Sequence, residues 1–171
     1  MPRVFACLAF ANLLLLTASG AVGIFAPQWG VDRHVLLAVM SLLFSCFVQV
    51  ATFTYLTVTG KVVGQAVHLA GLDRSIHETV KTYKRGVTRC LAAVFGAVVL
   101  VTATGAAGWR TGGATVWHDI AVGLVLVVHL GVFWREYEIV FLNSRLVART
   151  LEAYEKARSC DGMLKPGRSD E

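Results

Sequence analysis

The stretch HVLLAVMSLLFSCFVQVATFTYLTV, residues 34–58, contains no aspartate, glutamate, lysine or arginine. As an α-helix it would be about 37 Å long, and the hydrocarbon core of a bilayer is about 30 Å thick. A helix of this length without a charged side chain would be poorly solvated in water. The stretch therefore predicts a membrane-spanning helix.

Three further apolar runs occur, at residues 4–26, 87–107 and 116–134, and their only charged residues are Arg89 and Asp119, each near the start of its run. The whole chain of 171 residues is 56% hydrophobic and 16% charged, and the charges collect between and after the runs. Soluble proteins average about 45–50% apolar and about 25% charged residues. We therefore expect an all-α membrane protein, a bundle of four transmembrane helices forming a single domain over residues 1–158.

Helical patterns continue beyond three of the four runs. Residues 60–86 predict a helical hairpin with a stop and a new start at Gly71-Leu72-Asp73, and residues 135–157 continue the fourth helix with an apolar face. Such helices are marginal alone in water, so we expect them to pack together. The prediction is that helices 2, 3 and 4 extend into the cytoplasm, followed by a disordered cytoplasmic tail at 159–171.

Basic residues are distributed unevenly between the two sides of this arrangement. The segments 60–89 and 135–168 carry six and seven lysines and arginines, whereas the two opposite loops carry only Arg33 and Arg110. Because cytoplasmic loops are enriched in lysine and arginine, both termini are predicted to be cytoplasmic, in a bacterial inner membrane. The first run also resembles a secretory signal with a small-residue cleavage site. Its length favours an uncleaved helix over that alternative.

Polar residues of the second and fourth runs fall on one face of each helix. At about 100° per residue, those of the second run lie within about 60° of one direction. In the fourth run, His118, His129, Glu136 and Asn143 are spaced by 11, 7 and 7 residues. Since both helices run in the same direction, we expect these faces to meet. We call this the polar seam, and its candidate residues are Ser45, Gln49, Thr52, Tyr55, His129 and Glu136.

Two interpretations of the polar seam remain open at this stage. Polar side chains can simply hold membrane helices together by hydrogen bonds. An ionisable residue near mid-membrane is also a functional candidate by default, and this is His129, with Gln49 or Ser45 as its expected partner. His129 could instead ligate haem b or a metal.

The pair His34 and His118, at one depth, could form an outer metal site with Asp32 and Asp119. The alternative is that these four are ordinary interfacial residues and helix caps.

The sequence lacks the usual signatures of catalysis. The segment Tyr55–Lys61 is not a phosphate-binding loop, and GxSxG, HExxH and CxxC motifs are all missing. Nothing in the sequence is typical of nucleic-acid binding, and the net charge of +5 is explained by the positive-inside pattern. We therefore expect a non-enzymatic membrane subunit or scaffold that contacts lipid and either partner subunits or itself. The alternative is a haem- or quinone-linked redox protein, or a proton- or ion-conducting one, that uses His129.

Overall fold

The computed structural model describes residues 1–25, 30–111 and 116–163. These residues form four α-helices: α1 Pro2–Ile24, α2 Val31–Leu69, α3 Ser75–Thr111 and α4 Val116–Met163. All four are long and apolar enough to cross a membrane, as the four hydrophobic runs predict. This indicates an integral membrane protein.

The helices are unequal in length, because three of them continue well beyond their hydrophobic runs. The 39 residues of α2 form one uninterrupted helix of about 58 Å. At the C-terminal side, α4 continues to Met163, whereas the sequence predicts that this helix ends at residue 157. Positions 164–171 of the predicted tail, and position 26 of the first predicted span, lie outside the described residues.

The turn between α2 and α3 has two local causes. Gly71 adopts φ +62°, and the amide of Leu72 donates to the carbonyl of Val67, which is the hydrogen-bond pattern of a Schellman helix end. Two residues later, the carboxylate of Asp73 accepts hydrogen bonds from the amide and hydroxyl of Ser75, at 2.9 and 2.6 Å. These bonds satisfy donors at the first turn of α3.

The helices form a four-sided bundle in which α2 and α4 also touch across the diagonal. Neighbouring helices pack together around the bundle, whereas the backbones of α1 and α3 do not approach each other closely within the parts of the chain that the structure describes. We call the end with the α2–α3 turn the turn end. The other end, where His34 and His118 lie, is the histidine end.

An apolar core runs along the bundle axis and continues into the helix extensions. In its central part the ring of Phe5 meets that of Phe133 edge-on, with 6.4 Å between ring centroids. Towards the turn end, Val63 and Val67 of α2 pack with Val80 of α3, and side chains of α4 join them. The extensions of the three helices therefore pack against one another, as their apolar faces predict.

Candidate functional site

The polar residues of α2 and α4 lie inside the bundle and not on its surface. Ser45, Gln49 and Thr52 of α2 are buried, and Tyr55 is half-buried. On α4, His129 and Glu136 are completely buried, as is Asn143 one step further along the same face. The arrangement places the six predicted seam residues on inward faces, where polar groups of a membrane bundle are expected.

In the half towards the histidine end, the hydrogen bonds that α2 side chains form with other helices go to α1 among the described residues. The Ser45 hydroxyl donates to Oδ1 of Asn12 at 2.9 Å, and the Ser41 hydroxyl donates to the Leu15 carbonyl at 3.1 Å. Asn12 is fully buried. The sequence pattern predicted a seam between α2 and α4 alone, and the contribution of Asn12 on α1 was not predicted. The only signal was that Asn12 is the one strongly polar residue in an otherwise apolar first run.

In the half towards the turn end, α2 bonds to α4 as expected. Nε2 of Gln49 donates to Oε2 of Glu136 at 3.2 Å. Further along, the Tyr55 hydroxyl and the Ser144 hydroxyl lie 2.9 Å apart, and Nδ2 of Asn143 donates to the Thr59 hydroxyl at 2.9 Å. Thr52 does not cross between helices, because its hydroxyl donates to the Val48 carbonyl of its own helix.

His129 is bound differently from the sequence-based expectation. Its Nδ1 lies 2.8 Å from the carbonyl of Val125, one turn earlier in α4, and its ring packs edge-on against Phe133. A ring nitrogen facing a carbonyl must carry the hydrogen, so Nδ1 is the donor and Nε2 holds the lone pair of the neutral ring. The expected partner was Gln49 or Ser45. That prediction is wrong, because Ser45 is bonded to Asn12 and Gln49 reaches Glu136.

We define the polar interior as the six residues Asn12, Ser45, Gln49, His129, Glu136 and Asn143. Five of these residues carry a polar atom with no hydrogen-bond partner. Buried polar atoms are normally paired, so each such atom is a point at which a water molecule could bind. Two of the five atoms belong to titratable groups, His129 and Glu136. Among the described residues the unpartnered atoms are Asn12 Nδ2, Gln49 Oε1, His129 Nε2, Glu136 Oε1 and Asn143 Oδ1.

At the histidine end, His34 and His118 meet as a pair. Their ring centroids lie 6.2 Å apart with the rings nearly perpendicular. Nδ1 of His34 lies 3.2 Å from the Ser19 carbonyl, and Nδ1 of His118 lies 3.4 Å from the Thr104 hydroxyl. His34 and His118 therefore lie at the same depth in the bundle, as expected.

The wider metal site proposed with Asp32 and Asp119 is not assembled around this pair. Both aspartates are exposed at the first turns of their helices. Within residues 1–25, 30–111 and 116–163, no group of three or more histidine, cysteine, aspartate or glutamate side chains is placed to hold a metal ion. Two imidazoles alone fall short of the usual four-ligand zinc site.

A haem ligated by His129 would lack a second histidine at the same depth. The four other histidines lie towards the two ends of the bundle, with His34 and His118 at one end. His68 and His77 flank the α2–α3 turn at the other. The geometry therefore supplies one axial histidine at most, and the second would have to be another kind of side chain.

Comparisons with models of protein families, with curated proteins and with solved structures find no match for this chain.

Proposed function

We propose that this chain is a membrane-embedded bundle whose polar interior transfers protons between Glu136 and His129. Its four helices cross a bacterial cytoplasmic membrane, with both termini and the turn end in the cytoplasm. The lysine and arginine excess of the turn end supports this orientation.

The observation that carries the proposal is that Glu136 and His129 are both completely buried, and each has one atom without a partner. Packing alone does not require such groups, because serine, threonine, asparagine and glutamine can bond helices together without bringing a titratable group into the membrane. Glu136 has no cation within ion-pair distance among the described residues, so its carboxyl can both bind and release a proton at Oε1.

The spacing of the two groups defines how a proton would move. His129 and Glu136 are seven residues apart on one face of α4, about 10 Å along the axis, which is too far for direct transfer. Gln49 is bonded to Glu136, and Ser45 and Asn12 form the next polar contact towards the histidine end. Water molecules held by the unpartnered atoms of these side chains would complete the connection.

The chemistry at each end is a simple proton transfer. Glu136 takes up a proton at Oε1 from the cytoplasmic side and passes it through water to Nε2 of His129. The resulting imidazolium keeps its Nδ1–H on the Val125 carbonyl, which fixes the ring. Release from Nε2 towards the histidine end restores the neutral ring and completes one transfer.

The test is proton flux into liposomes that contain the purified full-length chain. A potassium diffusion potential drives the flux, and an enclosed pH-sensitive dye records it. We expect flux above that of protein-free liposomes, and a decrease of about tenfold or more in Glu136→Gln, because an amide accepts the Gln49 bond but cannot carry the proton. The control is Glu138→Gln, since Glu138 is exposed and ion-paired with Arg135.

Infrared difference spectra between acid and alkaline pH provide a second test that does not depend on flux. They should contain a carboxylic acid band that disappears in Glu136→Gln and persists in Glu138→Gln. Wild-type flux equal to that of empty liposomes, together with the lack of this band, would refute the proposal.

A second candidate, a membrane subunit or scaffold, is favoured by the packed helix extensions. Exposed apolar side chains remain on them, including Leu69, Leu142 and Leu151. These positions could contact a partner subunit or a second copy of the chain. Stoichiometric co-purification of another protein, with no flux in its presence or absence, would favour this candidate over proton transfer.

A further inference from the structure

A surface groove at the turn end is separate from the polar interior. It lies between α2 and α3 and has a volume of about 860 Å³. Its lining comes from α2 between Leu56 and Leu69 and from α3 between His77 and Lys84. The α2 side of the groove is thus about 20 Å long, and it begins inside the hydrophobic run of residues 34–58 and ends beyond it.

Two glycines of α2 allow α3 to approach closely along this groove. A Cβ atom at Gly60 would lie 3.1 Å from Cγ1 of Val80, and one at Gly64 would lie 3.2 Å from Cε1 of His77. Both distances are tighter than an ordinary contact between side chains. Gly60 and Gly64 form the GxxxG spacing, which brings the two helices together here.

Three lysines give the groove a positive charge. Lys61, Lys81 and Lys84 all line it, and no acidic side chain is among its lining residues in the described part of the chain. Nζ of Lys84 lies 4.9 Å above the ring of Phe53, which positions this ammonium group near the apolar end. Lys81 also contacts Glu78 at 2.7 Å, and that pair is solvent-exposed.

Two buried polar atoms in the lining are without a partner. Oγ1 of Thr57 and Nδ1 of His77 are both shielded from solvent, and neither forms a hydrogen bond with any described residue. The other unpartnered buried atoms all belong to the polar interior. The groove itself combines the positive charge of its lysines with the apolar side chains of Leu56, Leu69 and Val80.

We infer that this groove binds a phospholipid with an anionic headgroup from the cytoplasmic leaflet. The phosphate would lie among the three lysines, and an acyl chain would lie along the apolar end at Leu56. Charge complementarity and the position of the groove across the expected membrane edge select this occupant. The inference does not depend on proton transfer through the polar interior.

The experiment measures lipid binding to the full-length chain in neutral detergent. Phosphatidylglycerol and phosphatidylcholine with the same acyl chains are titrated separately, with binding followed by native mass spectrometry and by the shift in unfolding temperature. Inorganic phosphate is the third probe, because it shares the anion and lacks the acyl chains. We expect selective binding of phosphatidylglycerol, weakened about fivefold by each lysine-to-glutamine change and on the order of 100-fold by Lys61→Gln, Lys81→Gln and Lys84→Gln together.

The matched control removes three basic residues of α4 outside the groove, by Arg145→Gln, Arg149→Gln and Lys156→Gln. This control should retain selective binding. An equal loss in the control, equal binding of the two lipids, or equal stabilisation by inorganic phosphate would each overturn the inference. The inference would also be overturned if an acidic protein co-purified with the chain in the absence of lipid and the three lysine changes abolished that co-purification. If the triple lysine variant does not fold, the single change Lys61→Gln supplies the same comparison.

Discussion

The side-chain amide of Gln49 on α2 donates to the carboxyl of Glu136 on α4 across 3.2 Å, and the two residues are 1% and 0% exposed. This bond joins the two helices that face each other across the diagonal of the bundle. It uses one oxygen of the carboxyl and one atom of the amide, and leaves Oε1 of each residue unpartnered. The contact therefore fixes the position of Glu136 while leaving it a free oxygen for proton exchange.

Replacing Gln49 by leucine tests whether this bond supports the fold. Gln49→Leu removes the one hydrogen bond that the described residues give to the Glu136 carboxyl, and the free energy of unfolding should fall by about 1 kcal/mol. Reversible unfolding of the full-length chain in mixed detergent measures the change. Val50→Leu is the control, because Val50 is exposed on the bundle surface and its replacement should be neutral. Equal stabilities of the two variants would remove the structural role of the bond.

A comparison of two replacements at Glu136 separates its structural role from its chemical one. Glu136→Gln retains an oxygen that accepts from Gln49, so we expect its stability to remain within about 1 kcal/mol of the wild type. Glu136→Leu leaves the Gln49 amide unpaired, and should cost about 1–3 kcal/mol. The same unfolding assay measures both. If Glu136→Leu is as stable as Glu136→Gln, the carboxyl contributes nothing to helix packing.

The inward faces of α2 and α4 could be predicted from the sequence, but the bonding partners could not. Helical periodicity alone places Gln49 and Glu136 on polar faces. The periodicity defines the direction of a side chain around the helix axis only to within about 60°. This uncertainty is larger than the angle between a side chain directed at α1 and one directed at α4. Asn12 has no second strongly polar residue on its helix, so no polar stripe could be recognised there. Its bond to Ser45 could be identified only from the packed structure.

Asp73 provides a prediction of pH dependence outside the hydrophobic runs. Hydrogen bonds from the Ser75 hydroxyl and amide lower the pKa of Asp73 below its ordinary value of 3.8. A carboxyl with a lowered pKa in the folded state stabilises that state above pH 3.8, and the contribution is lost as the pH falls through the folded-state pKa. Asp73→Ala should therefore lower the unfolding temperature at neutral pH and have no effect in strong acid.

The measurement is thermal unfolding of Asp73→Ala and wild type over a series of pH values. Ser75→Ala is the matched variant, because it removes the hydroxyl donor and keeps the amide donor. It should show a smaller loss over the same pH range. A loss in Asp73→Ala that is the same at neutral and acidic pH would show that the ionised carboxylate does not cap α3.

The proposed orientation can be tested by cysteine labelling in intact cells. In a chain whose own cysteines are replaced by serine, Arg74→Cys at the turn end should react with a membrane-impermeant maleimide only after permeabilisation. Asp119→Cys at the histidine end should react without it. Both positions are exposed, so accessibility within the bundle does not limit the reaction. The reverse pattern would place the lysine-rich turn end outside and contradict the proposed direction of proton entry.

Gly23 tests how tightly α1 packs on α2 at the histidine end. A Cβ atom at this position would lie 2.8 Å from Cε1 of His34, so Gly23→Ala must displace the His34 ring, which contacts the Ser19 carbonyl and the His118 ring. We expect a cost of about 1–3 kcal/mol in the free energy of unfolding. Gly131→Ala is the control, because nothing lies within 4 Å of its added Cβ.

His34→Ala distinguishes a steric effect at Gly23 from a general loss of helix flexibility. If the His34 ring is the obstacle, Gly23→Ala should cost much less in the His34→Ala background than in the wild type, because the ring it meets has been removed. The coupling between the two changes should be about 1 kcal/mol or more. Additive effects would show that the cost of Gly23→Ala does not arise from its contact with the His34 ring.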